Sequence, residues 1–208
     1  MTPRLDLSIY YITAPDGGAG MIATAKAAAQ GGASAVQLRE KTMSDADFVT
    51  LGRRLKRELD PLGVPLVIND RIDLVHAIGA QGGHIGQGDI PVAVARDLLG
   101  PKAVLGLSIE HEGQCAGVDW SMVDYVGAGP IYATDSKADH ARPIGLDGLA
   151  RIRESCACPI VAIGGIGVTD VPDLRAAHVD GMAVISAIAH APDPKTAAHI
   201  LATAWRAS

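Results

Sequence analysis

Gln37, Arg39 and Lys41 are spaced by two and stand at the end of a β-rich run. An extended backbone turns side chains at i, i+2 and i+4 to one face, so all three can reach the same spot. A planar guanidinium fork beside an ammonium point charge suits phosphate oxygens. Two aspartates end later runs, Asp70 in Asn69-Asp70 and Asp89 in Gln87-Gly88-Asp89. Their hard oxygens suit Mg²⁺, which commonly takes one or two protein ligands and completes its shell with phosphate and water. Gly164-Gly165 closes a further apolar run, and glycine lets exposed backbone N–H groups approach a phosphate. Together these residues describe a site for phosphorylated ligands and a divalent cation. Each has a plainer reading as well. Arg and Lys are mostly solvated surface charges. Asp70 and Asp89 stand where helix N-caps belong, ahead of 71–78 and of Pro91, and a Gly-Gly pair serves any turn.

The elements that must position these groups alternate regularly. Candidate strands fall at 7–13, 35–39, 66–69, 83–86, 103–108, 123–127, 159–164 and 182–186. Most are continuous apolar runs, the pattern of parallel strands covered on both faces. Between them, Ser44 can cap a helix with Phe48, Leu51, Leu55 and Leu59 on one face, ended by Pro61. Asp193-Pro194 opens a last helix, and weaker helical stretches fit 21–30, 71–78, 92–99, 146–155 and 170–177, with 111–120 the weakest. A doubly wound sheet uses the same alternation. Eight units in 208 residues with no second domain favour a closed (β/α)8 TIM barrel, an α/β fold forming a single domain over 1–208.

A barrel builds its site at the C-terminal strand ends. Those ends carry Thr13, then Gln37, Arg39 and Lys41, then Asn69-Asp70, Asp89, Ser108 with His111 beyond it, Gly164-Gly165 and Ser186. Barrel phosphate sites often follow strands seven and eight, which puts Gly165 and Ser186 in place for one. The 131–145 connection, holding Thr134, Ser136 and Lys137, has the length of a functional lid. Its Lys137 could swing to a leaving phosphate or remain a solvated lysine. His84 and His111 could each be an acid–base group, a core hydrogen-bonding residue or a helix cap. Cys156-x-Cys158 lacks a second ligand pair for zinc and reads as helix-end packing.

Composition excludes several functions. Hydrophobic residues make up 48% of the chain and charged residues 20%, too apolar a mixture for long disorder. The net charge of −5 argues against nucleic-acid binding, and the 3% of aromatics give little for bases to stack on. The 24 glycines exceed the usual share of about 7% and suit tight strand–helix joints. No run reaches the roughly 18 apolar residues of a membrane helix. The start lacks a signal-peptide core, and three cysteines are too few for a disulfide scaffold. A reduced, cytoplasmic protein without membrane association is expected, and a homo-oligomer is compatible with all of this.

Seven segments occur in order: Gln37-Leu38-Arg39-Glu40-Lys41, Ile68-Asn69-Asp70-Arg71, Gly83-His84-Ile85-Gly86-Gln87-Gly88-Asp89, Gly106-Leu107-Ser108, Gly129-Pro130-Ile131-Tyr132-Ala133-Thr134-Asp135-Ser136-Lys137, Ala162-Ile163-Gly164-Gly165-Ile166 and Ala183-Val184-Ile185-Ser186-Ala187-Ile188. Individually they are weak; in this order and spacing, over about 10–189, they resemble the thiamine phosphate synthase family. The resemblance implies a (β/α)8 transferase with Mg²⁺ as cofactor. It would join 4-amino-2-methyl-5-hydroxymethylpyrimidine diphosphate to 4-methyl-5-(2-phosphoethyl)thiazole, releasing pyrophosphate and giving thiamine phosphate. It implies that Gln37, Leu38, Arg39, Glu40, Lys41, Asn69, Ser108 and Lys137 hold the pyrimidine diphosphate, with Arg39, Lys41 and Lys137 acting on the leaving group. Thr134, Asp135, Ser136, Gly165, Ile185 and Ser186 would hold the thiazole phosphate, and Asp70 and Asp89 the metal. Asp135 departs from the family, which more often has an uncharged residue there. A thiazole tautomerase-like branch of the same fold, which binds the thiazole phosphate without coupling it, and a non-catalytic sensor of phosphorylated ligands are the competing readings. The carboxylates and cations that would serve a diphosphate argue against the tautomerase-like branch.

Overall fold

Continuous apolar runs become short strands buried on both faces. In the computed structural model, which describes residues 5–14, 18–134, 136 and 142–207, these are β1 (Ile9–Ile12), β2 (Ala35–Leu38), β3 (Leu66–Asn69), β4 (Gly82–Ile85), β5 (Val104–Ile109), β6 (Tyr125–Ala128), β7 (Ile160–Ile163) and β8 (Gly181–Val184). Every strand is parallel to its neighbours, and β8 returns to pair with β1, with Tyr10 opposite Ala183. The sheet therefore closes into a (β/α)8 barrel.

Alternation along the strands divides the apolar residues into two layers. Leu7, Tyr10, Ile12, Val67, Val104, Tyr125 and Val161 fill the barrel interior. Leu38, Leu66, Ile68, Leu105, Val126 and Met182 face outward, against the helices. The helices are α1 (Gly18–Gly31), α2 (Asp45–Leu59), α3 (Val75–Ile78), α4 (Val92–Leu99), α5 (Gly145–Ser155), α6 (Val171–Ala176), α7 (Ser186–Ala189) and α8 (Pro194–Ala207). In α2 the predicted stripe is the buried one, Phe48, Leu51, Leu55 and Leu59, and the Ser44 side chain accepts the Asp47 N–H. Each such buried side chain contributes about 1.5–3 kcal/mol.

Four local expectations need correction. The connection from β5 to β6 contains only a 3-10 turn, Glu112–Cys115, in place of a helix over 111–120. Ser186 does not end strand eight; it opens α7. The helix expected over 71–78 is a 3-10 turn, Ile72–Leu74, followed by the single turn of α3. That break starts at Asp70, which has φ 61, a left-handed conformation that prevents it from leading directly into a helix. Asp70 and Asp89 are also not helix caps: the cap positions are occupied by Arg71 and Pro91, without side-chain capping bonds. All three cysteines are buried and unpaired as disulfides, and the Cys158 thiol donates to the Val123 carbonyl at 3.1 Å. Among the described residues no helix is long and apolar enough to cross a membrane.

Candidate active site

The C-terminal strand ends surround a cavity of about 360 Å³. Thr13, just past β1, is buried behind the cavity's first wall. The Thr13 hydroxyl accepts the Arg39 backbone N–H at 2.9 Å, and the Thr13 N–H donates to the Gln37 carbonyl at 2.9 Å. These bonds carry the β2 backbone past its last strand residue and turn Arg39 into the cavity wall. Arg39 is only 7% exposed, so it is not a solvated surface charge. A buried cation of this kind calls for an anion. Lys41 lines the same wall. The loop bearing it is tied to the end of β3 by Arg71, which donates to the Met43 carbonyl at 2.9 Å, pairs with Asp45 and stacks 4.4 Å above the Phe48 ring.

Asn69, Asp70 and Asp89 line the cavity beside these cations. The Asp89 carboxylate accepts the Gly86 N–H at 2.7 Å, which closes the turn after β4. Burial, and then the neighbouring Asp89 carboxylate, push Asp70 up to about 6, against the opposing pull of Lys41 and Arg39. Two carboxylates held this close are relieved either by a shared proton or by a dication. Among the described residues no three His, Cys, Asp or Glu side chains converge as a complete metal site. The Asp70–Asp89 pair could hold a hard cation of the kind that draws its remaining ligands from water and phosphate oxygens.

Across the barrel lie β7 and β8. Gly164 (φ 97) and Gly165 (φ 68) end β7 with backbone conformations that disfavour any side chain. A Cβ on Gly165 would come within 2.7 Å of the Ala133 carbonyl oxygen, so glycine is required for the 131–134 segment to pack here. Gly165, Thr134, Ser136, Ile185 and Ser186 all line the cavity, and the Thr134 hydroxyl accepts the Ser136 N–H at 3.2 Å. Ser108, from β5, lines the cavity as well.

Three of the residues predicted from sequence do not line the cavity. Leu38 packs outward, between barrel and helices. Gln37 lies beneath the cavity, 2% exposed, where it donates to the Tyr10 hydroxyl at 3.1 Å. The Glu40 carboxylate turns back on its own loop, accepting the Thr42 N–H and hydroxyl, each at 2.8 Å. These bonds hold it below the usual carboxylate range. Asp135 and Lys137 lie outside the described residues. His111 is exposed. His84 is buried and bonded on both ring nitrogens. Sequence reasoning missed Glu110, a third carboxylate on the cavity wall. Its place two residues after Ser108, directly past the end of β5 at Ile109, carried the signal, because i and i+2 share a face of an extended backbone.

Comparison with known proteins agrees with this architecture. A family model described as "Thiamine monophosphate synthase" matches residues 9–188. The chain belongs to the thiamine monophosphate synthase family. It is 43% identical over 206 residues to a thiamine-phosphate synthase of Xanthobacter autotrophicus, covering 98% of both chains. A Vibrio campbellii protein of the same name is 44% identical over 174 residues, 84% of this chain and 85% of its own. The solved thiamine phosphate pyrophosphorylase of Pyrococcus furiosus superposes with a TM-score of 0.87 at 31% identity, covering 98% of each chain. The matched 9–188 region contains every cavity-lining residue of the thiamine monophosphate synthase fold described above.

Proposed function

We propose that this chain is a Mg²⁺-dependent transferase of thiamine biosynthesis. It joins 4-amino-2-methyl-5-hydroxymethylpyrimidine diphosphate to 4-methyl-5-(2-phosphoethyl)thiazole, giving thiamine phosphate and pyrophosphate. The observation that carries the reading is one cavity with two unlike sides. Arg39, Lys41, Asp70 and Asp89 gather on one side, and the Gly164-Gly165 turn and Ser186 lie on the other.

The reaction breaks the bond from the pyrimidine methylene to the diphosphate oxygen, which leaves with the electron pair. The ring amine stabilises the resulting cation, and the lone pair of the thiazole nitrogen then forms the new carbon–nitrogen bond. That nitrogen bears no proton, so no general base is needed. What the chemistry requires is charge neutralisation on the leaving group and two substrates held in line. Arg39 and Lys41 provide fixed positive charge beside the diphosphate, joined by Lys137. Asp70 and Asp89 hold the Mg²⁺, which adds charge neutralisation at the departing diphosphate when bound. Asn69 and Ser108 orient the pyrimidine end. Thr134, Asp135, Ser136, Gly165, Ile185 and Ser186 receive the thiazole phosphate. The three carboxylates of the described wall outnumber its two cations, and this supports a role for a metal in admitting two anionic substrates. The chain acts on small molecules, in the cytoplasm.

Titration of activity with Mg²⁺ tests the metal assignment. Asp89→Ala should slow coupling and raise the Mg²⁺ concentration needed for half-maximal rate, while thiazole-phosphate binding stays unchanged. An unaltered Mg²⁺ profile would leave Asp89 only its turn-closing bond to Gly86.

A further inference from the structure

Beneath the cavity, a line of polar side chains crosses a barrel interior otherwise filled by apolar ones. The Gln37 amide nitrogen donates to the Tyr10 hydroxyl at 3.1 Å. The Tyr10 and Tyr125 hydroxyls are 2.9 Å apart. The Tyr125 hydroxyl lies 2.9 Å from His84 Nδ1, and His84 Nε2 lies 2.9 Å from Ser108 Oγ. Gln37, Tyr10, Tyr125 and His84 are all buried, and Ser108 alone of the five lines the cavity. Two glycines keep room for the line. A Cβ on Gly106 would overlap the Tyr125 ring and His84 Nδ1, and one on Gly127 would stand 3.3 Å from His84 Cε1.

The proton count along this line gives it a direction. Burial pushes both tyrosines above their ordinary values, so each phenol keeps one proton to donate. Tyr10 accepts from Gln37, an amide NH₂ that cannot accept in return. Its own proton therefore goes to the Tyr125 oxygen, and the Tyr125 proton goes to His84 Nδ1. A neutral imidazole that accepts at Nδ1 carries its proton on Nε2 and donates it to Ser108 Oγ. The Ser108 proton is left to point into the cavity.

We propose that the Gln37–Tyr10–Tyr125–His84 line is a positioning device that holds His84 as the Nε2–H tautomer and makes Ser108 a hydrogen-bond donor to the substrate. It selects a ligand that presents an acceptor there, an unprotonated ring nitrogen or a phosphate oxygen of the pyrimidine diphosphate. Gln37 thereby acts on the ligand through Ser108. The identity of that ligand rests on the function proposed above; the tautomer does not.

Nitrogen-15 NMR of the full-length chain labelled at histidine reads the tautomer without substrate. His84 should show a protonated Nε2 and a bare Nδ1; a proton on Nδ1 overturns the proposal. In Tyr125→Phe the lock is gone, and Nδ1–H signal should emerge in a protein whose circular dichroism is unchanged. The same variant should lose about tenfold in kcat/KM for the pyrimidine diphosphate, with the thiazole-phosphate KM unaltered. That loss should vanish in a Ser108→Ala background, because the line acts only through Ser108; an additive loss overturns the proposal. An inactive wild-type protein with the Nε2–H tautomer would sink the reaction assigned above and leave the positioning line standing.

Discussion

Asp70→Asn should make the metal-free protein more stable while removing half of its proposed metal site. Asn matches Asp in size and tolerates the left-handed φ of 61 found at this position. It removes one charge from a half-buried pair whose environment raises Asp70 from 3.8 to about 6, first through burial and then through Asp89. At about 1.36 kcal/mol per pH unit, that displacement corresponds to at most about 3 kcal/mol. Screening at the open cavity mouth reduces it to about 1–2 kcal/mol. The folded-state value lies above the unfolded one, so this contribution to stability is fully present below about pH 4 and is lost as pH rises through about 6. Wild type at pH 7.5 therefore bears the cost of the ionised pair, and the variant does not. For a chain of this size, about 2–4 °C accompanies each kcal/mol, so Asp70→Asn should melt about 2–8 °C above wild type in chelator at pH 7.5. The gap should close near pH 4.5. Added Mg²⁺ should raise only wild type. Differential scanning calorimetry across this pH range is the assay. A variant that melts below wild type, by the same margin at both pH values, would mean that the ionised Asp70–Asp89 pair carries no such cost.

Arg39→Lys keeps the charge but loses the planar fork, so kcat/KM for the pyrimidine diphosphate should fall about tenfold or more, with little change in thermal stability; steady-state kinetics with calorimetry would reveal an unexpected tie. Gly106→Ala places a methyl against Tyr125 and His84, and overpacking together with broken hydrogen bonds should cost about 2–4 kcal/mol. Chemical denaturation measures this, with Gly20→Ala as the contrasting variant. Gly20 is in α1 with open space around it, so that change should stabilise by about 0.5–1 kcal/mol.

Much of the barrel was legible because its strands are buried on both faces, so apolar runs such as 66–69 and 159–164 stand out against helical stripes such as Phe48, Leu51, Leu55 and Leu59. The rim was legible for the same geometric reason: parallel strands bring all their C-terminal ends to one side, which gathers Arg39, Asp70, Asp89, Ser108, Gly165 and Ser186. What escaped depends on contacts between distant segments. Same-face spacing pointed Gln37 to the ligand side with Arg39, but whether an inward residue lies in the cavity or beneath it depends on strand stagger. The left-handed turn at Asp70 has no glycine to announce it. The four-residue 3-10 turn after β5 replaces a helix that the 111–120 stretch suggested only faintly. The polar line through His84 takes one side chain from each of five strands, β2, β1, β6, β4 and β5, and no local pattern encodes that.

Coupling of two phosphorylated heterocycles in this cavity can be observed by incubating the purified chain with both substrates. With Mg²⁺ present, thiamine phosphate and pyrophosphate should appear in equal amounts, and a chelator should stop both. Demonstrated binding of both substrates without pyrophosphate release would contradict this coupling.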